Sequence, residues 1–254
     1  MSWVVDIGNS SLKWAVCEGS NTGESSSVLW NRDGLAETLD EVWGNLPSPG
    51  GLTCSCVAGQ SIEEELSVWC KAVWGIEPEF IKSTQSGFGV VNAYADTHRL
   101  GSDRWAALVA AKHEMNSACC IVDCGTATTI DVLQHDGKHL GGLIVPGVSL
   151  MRSSLLQGTS IDIGDSEEGN STLFARNTRD AIQGGSLYAM IATIDRVFHD
   201  VEAELGVEVK RLLTGGDANT LLPLLHGDII HMPDLVLMGV AIIAQAPVDD
   251  EGSK

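Results

Sequence analysis

No stretch of the sequence approaches the ~18 uninterrupted apolar residues that a membrane-spanning helix needs, although apolar residues fill 44% of its 254 positions. The first residues, Met-Ser-Trp-Val-Val-Asp, have no basic cluster ahead of an apolar run. No cleaved signal peptide is therefore expected, and the expected location is cytoplasmic. Positive charge is scarce: 15 Lys and Arg stand against 34 Asp and Glu, a formal net charge of −19 at pH 7. Nucleic-acid binding rests on basic contacts to phosphate, so this balance argues against a nucleic-acid partner and equally against an anionic membrane surface. It fits a soluble enzyme or a salt-adapted host and does not choose between them. Disulfide and zinc spacing are missing as well. The seven cysteines are an odd number in a chain long enough to bury a core without staples, and neither Cys54-Ser-Cys56 nor Cys119-Cys120-x-x-x-Cys124 has ligand spacing. Buried free thiols in a reducing compartment are expected. The one low-complexity segment is the acidic tail Asp249 to Lys254, expected to fray.

What is present centres on Asp6-Ile7-Gly8-Asn9-Ser10-Ser11-Leu12-Lys13, set between the apolar runs Trp3-Val4-Val5 and Trp14-Ala15-Val16. Apolar runs on both sides of a Gly-Asn pair predict two strands joined by a tight hairpin. Gly8 is free to take a positive φ and, lacking a side chain, lets an anion approach the backbone amides. Ser10 and Ser11 add hydroxyls and Lys13 a positive charge, while Asp6 tolerates a phosphate only with a divalent cation between them. Together these residues describe a nucleotide-phosphate cradle with its metal; an ordinary turn is the alternative. A second copy decides between them. Asp123-Cys124-Gly125-Thr126-Ala127-Thr128-Thr129 again follows an apolar run, Cys119 to Val122, and leads to a strand-like one, Ile130 to Leu133.

Two half-chains with matching hairpins predict a duplicated α/β domain with a nucleotide cleft between the copies. The chain thereby resembles the actin-like ATPase superfamily, with its ribonuclease H-like domains, which includes sugar kinases. Leu212-Leu213-Thr214-Gly215-Gly216-Asp217 is similar to that superfamily's strand and Gly-Gly turn beside adenosine. The boundary is expected at 115/116, giving an N-terminal domain 1–115 and a C-terminal domain 116–254.

Between these motifs the pattern alternates strand and helix, as a mostly parallel sheet with covered faces requires. Gly19 to Ser27 reads as a loop and Ser27 to Trp30 as a third strand. Leu35, Leu39, Val42, Trp43 and Leu46 mark a helix ended by Pro47-Ser-Pro49, and Leu52 to Val57 a buried strand. Ser61 caps a second helix with Glu64 three residues on, its apolar face being Ile62, Leu66, Trp69 and Val73. Glu79 to Ile81 is a short strand. Later, Val148 to Leu156 reads as helix, Ser160 to Asn170 as an acidic loop, and Thr178 to Leu205 as a long helix. The wide apolar face of that long helix suits core packing or a subunit contact. Asp234 to Ala244, apolar almost all round, reads as a buried closing helix.

Gly101 opens a further helix whose buried face is Trp105, Leu108 and Val109, which puts Asp103 and Arg104 in its first turn, where anions are favoured. Arg104 there would hold a substrate carboxylate and Asp103 would take a proton from a substrate hydroxyl; an Asp in a first turn is equally a good cap. Gly141-Gly142-Leu-Ile-Val-Pro146-Gly147 reads as a strand begun and ended by turns.

In this order and at this spacing, the Asp6–Lys13 turn, Gly101-Ser102-Asp103-Arg104, Asp123-Cys-Gly-Thr-Ala, Gly141 to Gly147 and Asn177-Thr178-Arg179-Asp180 resemble the type III pantothenate kinase family, from residue 1 to about 245. The resemblance implies that Asp6 to Lys13 bind ATP phosphates and Mg²⁺, that Thr126 contacts ATP, and that Asp103 is the general base on the pantothenate hydroxyl. It also implies that Tyr94, Gly101, Ser102, Asp103, Arg104 and Thr178 contact pantothenate, that Asp123 holds a monovalent cation (K⁺ or NH₄⁺), and that the protein is a homodimer. Departures are mild: Ser10 stands where Thr is frequent, and Thr97 where a Pro is common. The expected activity is ATP-dependent phosphorylation of pantothenate, the first step of coenzyme A synthesis. The alternatives are another small-acid or sugar kinase, or a non-catalytic accessory member, which need not keep Asp6, Asp103 and Asp123 together.

Overall fold

The computed structural model describes residues 1–31, 34–161 and 170–246. Most of the acidic loop expected over Ser160 to Asn170, and the whole tail Asp249 to Lys254, lie outside the described residues. The chain divides into two units: Met1–Glu114 with Gly137–His139 and the segment from Asp234 onward, and Met115–Asp136 with Leu140–Pro233.

In the first unit, β1 (Ser2–Ile7), β2 (Ser11–Glu18) and β3 (Asn21–Leu29) form an antiparallel meander. The chain then runs through α1 (Leu35–Trp43), β4 (Leu52–Cys56), α2 (Gln60–Val73) and β5 (Glu79–Phe80), giving a sheet of order β3-β2-β1-β4-β5 with β4 and β5 parallel to their neighbours. A small hairpin, β6 (Ser86–Gly87) and β7 (Val90–Val91), precedes α3 (Ser102–Glu114). In the second unit β8 (Cys119–Cys124), β9 (Ala127–Leu133), β10 (His139–Pro146), α4 (Val148–Gly158), α5 (Thr178–Leu205), β11 (Lys210–Thr214), α6 (Ala218–Leu221) and β12 (Ile229–His231) build a sheet of order β10-β9-β8-β11-β12. Strand for strand, the order is that of the first sheet. The last element, α7 (Leu235–Ile243), packs on α3 within the first unit, where the sequence reading grouped it with residues 116–254. A Cβ on Gly239 of α7 would sit 1.9 Å from Ala106 O, so glycine sets how closely the two helices approach.

Period-two alternation decides what each strand offers to each face. Trp3, Val5, Ile7, Leu12, Leu52 and Cys54 join one core cluster with Leu35, Leu39 and Trp43 of α1 and Ile62, Leu66 and Trp69 of α2. Trp43 is its centre: its ring lies 5.7 Å from that of Trp3, 5.5 Å from Trp14, 6.1 Å from Trp69 and 5.4 Å from Trp74. Such edge-on and offset contacts add to the burial of large apolar areas. The indole N–H of Trp69 donates to Asp40 Oδ1 at 2.7 Å. The second unit's cluster instead joins Cys120, Val122, Cys124, Ile130 and Leu213 to Met190, Ile191, Ile194 and Phe198 of α5.

Several local expectations need correction. Asn21 to Ser27, read as loop, is strand, because β3 borrows its ladder from β2 and leaves most of its polar residues exposed at the sheet edge. Ser61 does not cap α2; the helix begins at Gln60 after Gly59, with φ of 109°, and Gln60 pairs with Glu64 instead. The first helix stops at Trp43 with Gly44 behind it, leaving Leu46 exposed, and Val73 is likewise exposed. Gly8 does not use the left-handed region its type permits.

Candidate active site

If Trp3, Val5 and Ile7 face α1 and α2, Asp6 points to the opposite face of the sheet, where α3 and α7 pack. Lys13 is its cross-strand partner and Ser55 its parallel partner on β4, so the three project together at the carboxyl end of β1. This is the place where open α/β sheets bind ligands. Lys13 Nζ lies 2.7 Å from Asp234 Oδ1, just ahead of α7. Ser55 Oγ lies 3.1 Å from Ser102 Oγ, in the first turn of α3, and Ser102 Oγ also accepts the Cys56 N–H at 3.2 Å. The heads of both helices are thus fastened to the strand ends around Asp6.

The turn itself is closed by Gly8 N–H donating to Ser11 O at 2.9 Å and by the Trp30 indole N–H reaching Gly8 O at 3.2 Å. Asn9, Ser10 and Ser11 are exposed, whereas Ile7 and Leu12 bury their side chains and offer a ligand only backbone. A Cβ on Gly8 would find nothing nearer than 3.4 Å, so the glycine is not required by the protein's own packing.

On α3, Asp103 Oδ1 accepts the Arg104 N–H at 2.6 Å, which seats the carboxylate against the helix N-terminus. A Cβ on Gly101 would stand 2.4 Å from that oxygen, so glycine keeps the seat open. Arg104 is buried, 5% exposed, yet its guanidinium donates to Tyr94 Oη at 2.9 Å. Buried Asn92 frames Tyr94, accepting its N–H at 3.0 Å while donating to Thr84 O at 3.2 Å. Ser102, expected to meet substrate, spends its hydroxyl on Ser55 and Cys56.

In the second unit Asp123 and Thr126 flank the second turn. Glycines press on it from two sides. A Cβ on Gly147, at the start of α4, would stand 2.1 Å from Gly125 O, and one on Gly215, with φ of 93°, 2.4 Å from Asp123 Oδ1. Gly142 approaches Ile130 O just as tightly, so Gly142 and Gly147, read as strand punctuation, serve close backbone contact, whereas Gly141, with φ of 105°, has open space around it. Asp217 N–H donates to Cys124 O at 2.9 Å, and burial pushes the Asp217 carboxyl up, with Arg152 pulling partly the other way. Burial also pushes the Cys56 thiol up to about 11 and raises Cys124, so neither cysteine beside a turn is a nucleophile at neutral pH. Thr178 is exposed in the first turn of α5, where Asn177 caps by accepting the Asp180 N–H at 2.8 Å.

The expected residues therefore fall into two groups. Asp6 to Lys13, Tyr94 and Gly101 to Arg104 gather in the first unit, and Asp123, Thr126 and Thr178 belong to the second. Two participants of the first group went unmarked in the sequence. Asp234 carried one signal, as the acidic residue directly before an otherwise apolar helix; Ser55, inside a strand, carried none.

A pair of sheets with one strand order, each ending its central strand in an Asp-x-Gly turn, defines the duplicated actin-like ATPase fold. Solved structures bear this out. The chain matches an activator of 2-hydroxyisocaproyl-CoA dehydratase from Clostridium difficile, solved with ADPNP, at a TM-score of 0.52 and 12% identity over 96% of this chain and 94% of the other. It matches a Campylobacter jejuni protein assigned to the Baf family of transcriptional activators at 0.58 and 20%, over 96% and 98%. At such identities the likeness concerns fold alone. The sequence profile of the type III pantothenate kinases matches residues 3–200. The type III pantothenate kinase of Nitrosococcus oceani is 41% identical over 250 residues, 96% of this chain and 94% of its own. That of Thiobacillus denitrificans is 38% identical, over 96% of each. The chain belongs to the type III pantothenate kinase family.

Proposed function

We propose that this protein is a phosphotransferase that moves the γ-phosphoryl group of ATP to the terminal hydroxyl of pantothenate, the first step of coenzyme A synthesis. The observation that carries this reading is the head of α3, where Asp103, Arg104 and the Tyr94 hydroxyl stand together beside the Asp6 turn. Pantothenate is a carboxylate with a hydroxyl at its far end, and this head offers a partner to each. The planar guanidinium of Arg104, oriented by Tyr94, holds the carboxylate. Asp103 orients the hydroxyl and accepts its proton late, as the oxygen bonds to phosphorus and its acidity rises. Positioning and charge do most of the work in such in-line transfers.

The Asp6 turn suits the phosphates, with a half-buried Gly8, an exposed Asn9, hydroxyls at Ser10 and Ser11, and Lys13 behind them. Among the described residues no three His, Cys, Asp or Glu side chains cluster as an all-protein metal cage. The donors present fit Mg²⁺, which takes one or two carboxylates and completes its shell with phosphate oxygens and water. Asp6 would hold it, and bound there it would neutralise charge on the phosphates. Asp123, its oxygen 2.4 Å from where a Gly215 Cβ would lie, sits among backbone groups of Cys124. The carboxylate and the Cys124 carbonyl oxygen there suit K⁺ or NH₄⁺. Thr126 would contact ATP and exposed Thr178 pantothenate. We assign the first phosphate turn and the pantothenate motif to the first unit, and the second phosphate turn and the adenosine motif to the second. A cytoplasmic homodimer completes the proposal, supported by exposed Leu143 and Ile144 on edge strand β10; no helix among the described residues is long and apolar enough to cross a membrane.

The test is ADP release with and without pantothenate, with the phosphorylated product identified by mass. A rate that does not respond to pantothenate would overturn the reading.

A further inference from the structure

We infer that His139 is a positioning residue for the pantothenate pocket, setting Tyr94 and through it Arg104; the inference deepens the proposed function and rests on it. His139 is 1% exposed. It ends the short segment Gly137–His139 that belongs to the first unit while the chain on either side belongs to the second. The segment is fixed in place. Gly137 O accepts the Val91 N–H at 2.9 Å, and Val91 and Lys138 form a parallel bridge. Gly137 has φ of 90°, and a Cβ there would stand 1.8 Å from Gly89 O, so this approach to the β6–β7 hairpin is open only to glycine.

Held this way, the imidazole meets the Tyr94 loop at two points. Its Nδ1 accepts the Ala93 N–H at 3.4 Å, which places the ring proton on Nε2. Its ring runs parallel to that of Tyr94, the planes 12° apart and the centroids 6.3 Å apart, an offset stack. From the chain itself Asn92 takes the Tyr94 N–H and gives its own amide hydrogens to Thr84 O and Thr97 O. Between Asn92 and His139 the ring and backbone of Tyr94 are fixed, and the hydroxyl is left to receive the Arg104 guanidinium at 2.9 Å. No other side chain supplies both contacts: phenylalanine keeps a ring without the acceptor, and asparagine keeps an acceptor near the Nδ1 position without the ring.

The chain has two tyrosines, Tyr94 and Tyr188. In a Tyr188→Phe background, ¹³C-tyrosine labelling makes Tyr94 the sole aromatic signal, a readout that needs no turnover. His139→Ala should shift and broaden that signal, because the neighbouring ring current and the restraint go together. In the same protein the KM for pantothenate should rise about tenfold, the size of one net polar contact, with kcat and the KM for ATP within about twofold. His139→Asn and His139→Phe should each restore part of the loss. They also keep the test valid if the alanine variant folds poorly. A folded His139→Ala protein with an unmoved Tyr94 signal would overturn the inference, as would a fall in kcat at unchanged pantothenate KM. Wild-type protein with no pantothenate-dependent turnover would instead sink the proposed function, and the Tyr94 signal would still decide whether His139 sets that ring.

Discussion

In the first unit the Trp30 indole reaches over the Asp6 turn to Gly8 O, and a Cβ at Gly8 would make only ordinary contact with Ser11. In the second the Asp123 turn is wedged by backbone, with Gly147 and Gly215 pressed so closely that a Cβ at either would overlap main-chain atoms. The strand orders match, so the difference lies in what each sheet was given to carry. The first sheet has α1 and α2 on one face and both α3 and α7 on the other, which brings two helix heads, bearing Asp103 and Asp234, to one strand end. The second holds its turn by close packing of backbone. A turn whose glycine is unneeded by the fold is the one expected to bend around a ligand.

The strongest way to break that contrast is Asp103→Asn, which keeps size and hydrogen bonding but removes the proton acceptor. Turnover should fall roughly 10²–10⁴-fold, the range for a lost general base, with the pantothenate KM little changed and circular dichroism unaltered. Unchanged turnover would return Asp103 to a helix cap. Next is the cation. Exchanging K⁺ and NH₄⁺ for Na⁺ or Tris should lower activity by about tenfold or more, if the Asp123 carboxylate needs a compensating charge beside the phosphates. Full activity after exhaustive exchange would remove that role from the second turn. A paired glycine test follows. Gly147 has φ of −66°, so Gly147→Ala is a purely steric change; it should cost about 1–3 kcal/mol of stability by denaturant titration. Gly8→Ala should cost about 0.5 kcal/mol or less, yet raise the KM for ATP. Equal stability losses would erase the distinction between the turns. Smallest is Asp234→Asn. Its ion pair with Lys13 is partly exposed and worth little in stability. The KM for ATP should move about two- to threefold by steady-state kinetics, far less than for Lys13→Ala.

The repeated turn was legible in the sequence because its signal is local: an apolar run, an acid, a glycine and a hydroxyl in five or six residues. Helix α3 was legible for the same reason, and so was its first-turn placement of Asp103 and Arg104. What escaped is non-local. Lys13 reads as a lone cation, and only the folded chain brings Asp234 from far downstream to meet it. Ser102 reads as a substrate contact, yet its hydroxyl is taken by β4, a strand that gives no local sign of pairing with a helix head. The polar edge strand β3 was hidden because a strand that borrows its ladder needs no apolar alternation of its own. No local periodicity says which sheet a closing helix will cover, so α7 could be read as helix and not as part of the first unit.

The tryptophans of the chain, Trp3, Trp14, Trp30, Trp43, Trp69, Trp74 and Trp105, are seven in number, and all lie in Met1–Glu114. Emission excited selectively at indole is therefore a private channel of the first unit. A melting curve followed by indole fluorescence would report the half that holds Asp103, whereas the long helix α5, which carries Tyr188 and no tryptophan, would show in the far-ultraviolet. Light selected for indole also excites a cluster whose rings are 5–6 Å apart by centroid, close enough to exchange excitation before emitting. Low emission anisotropy in the folded state, recovering on dilution of the cluster by Trp→Phe changes, is the optical signature this arrangement carries.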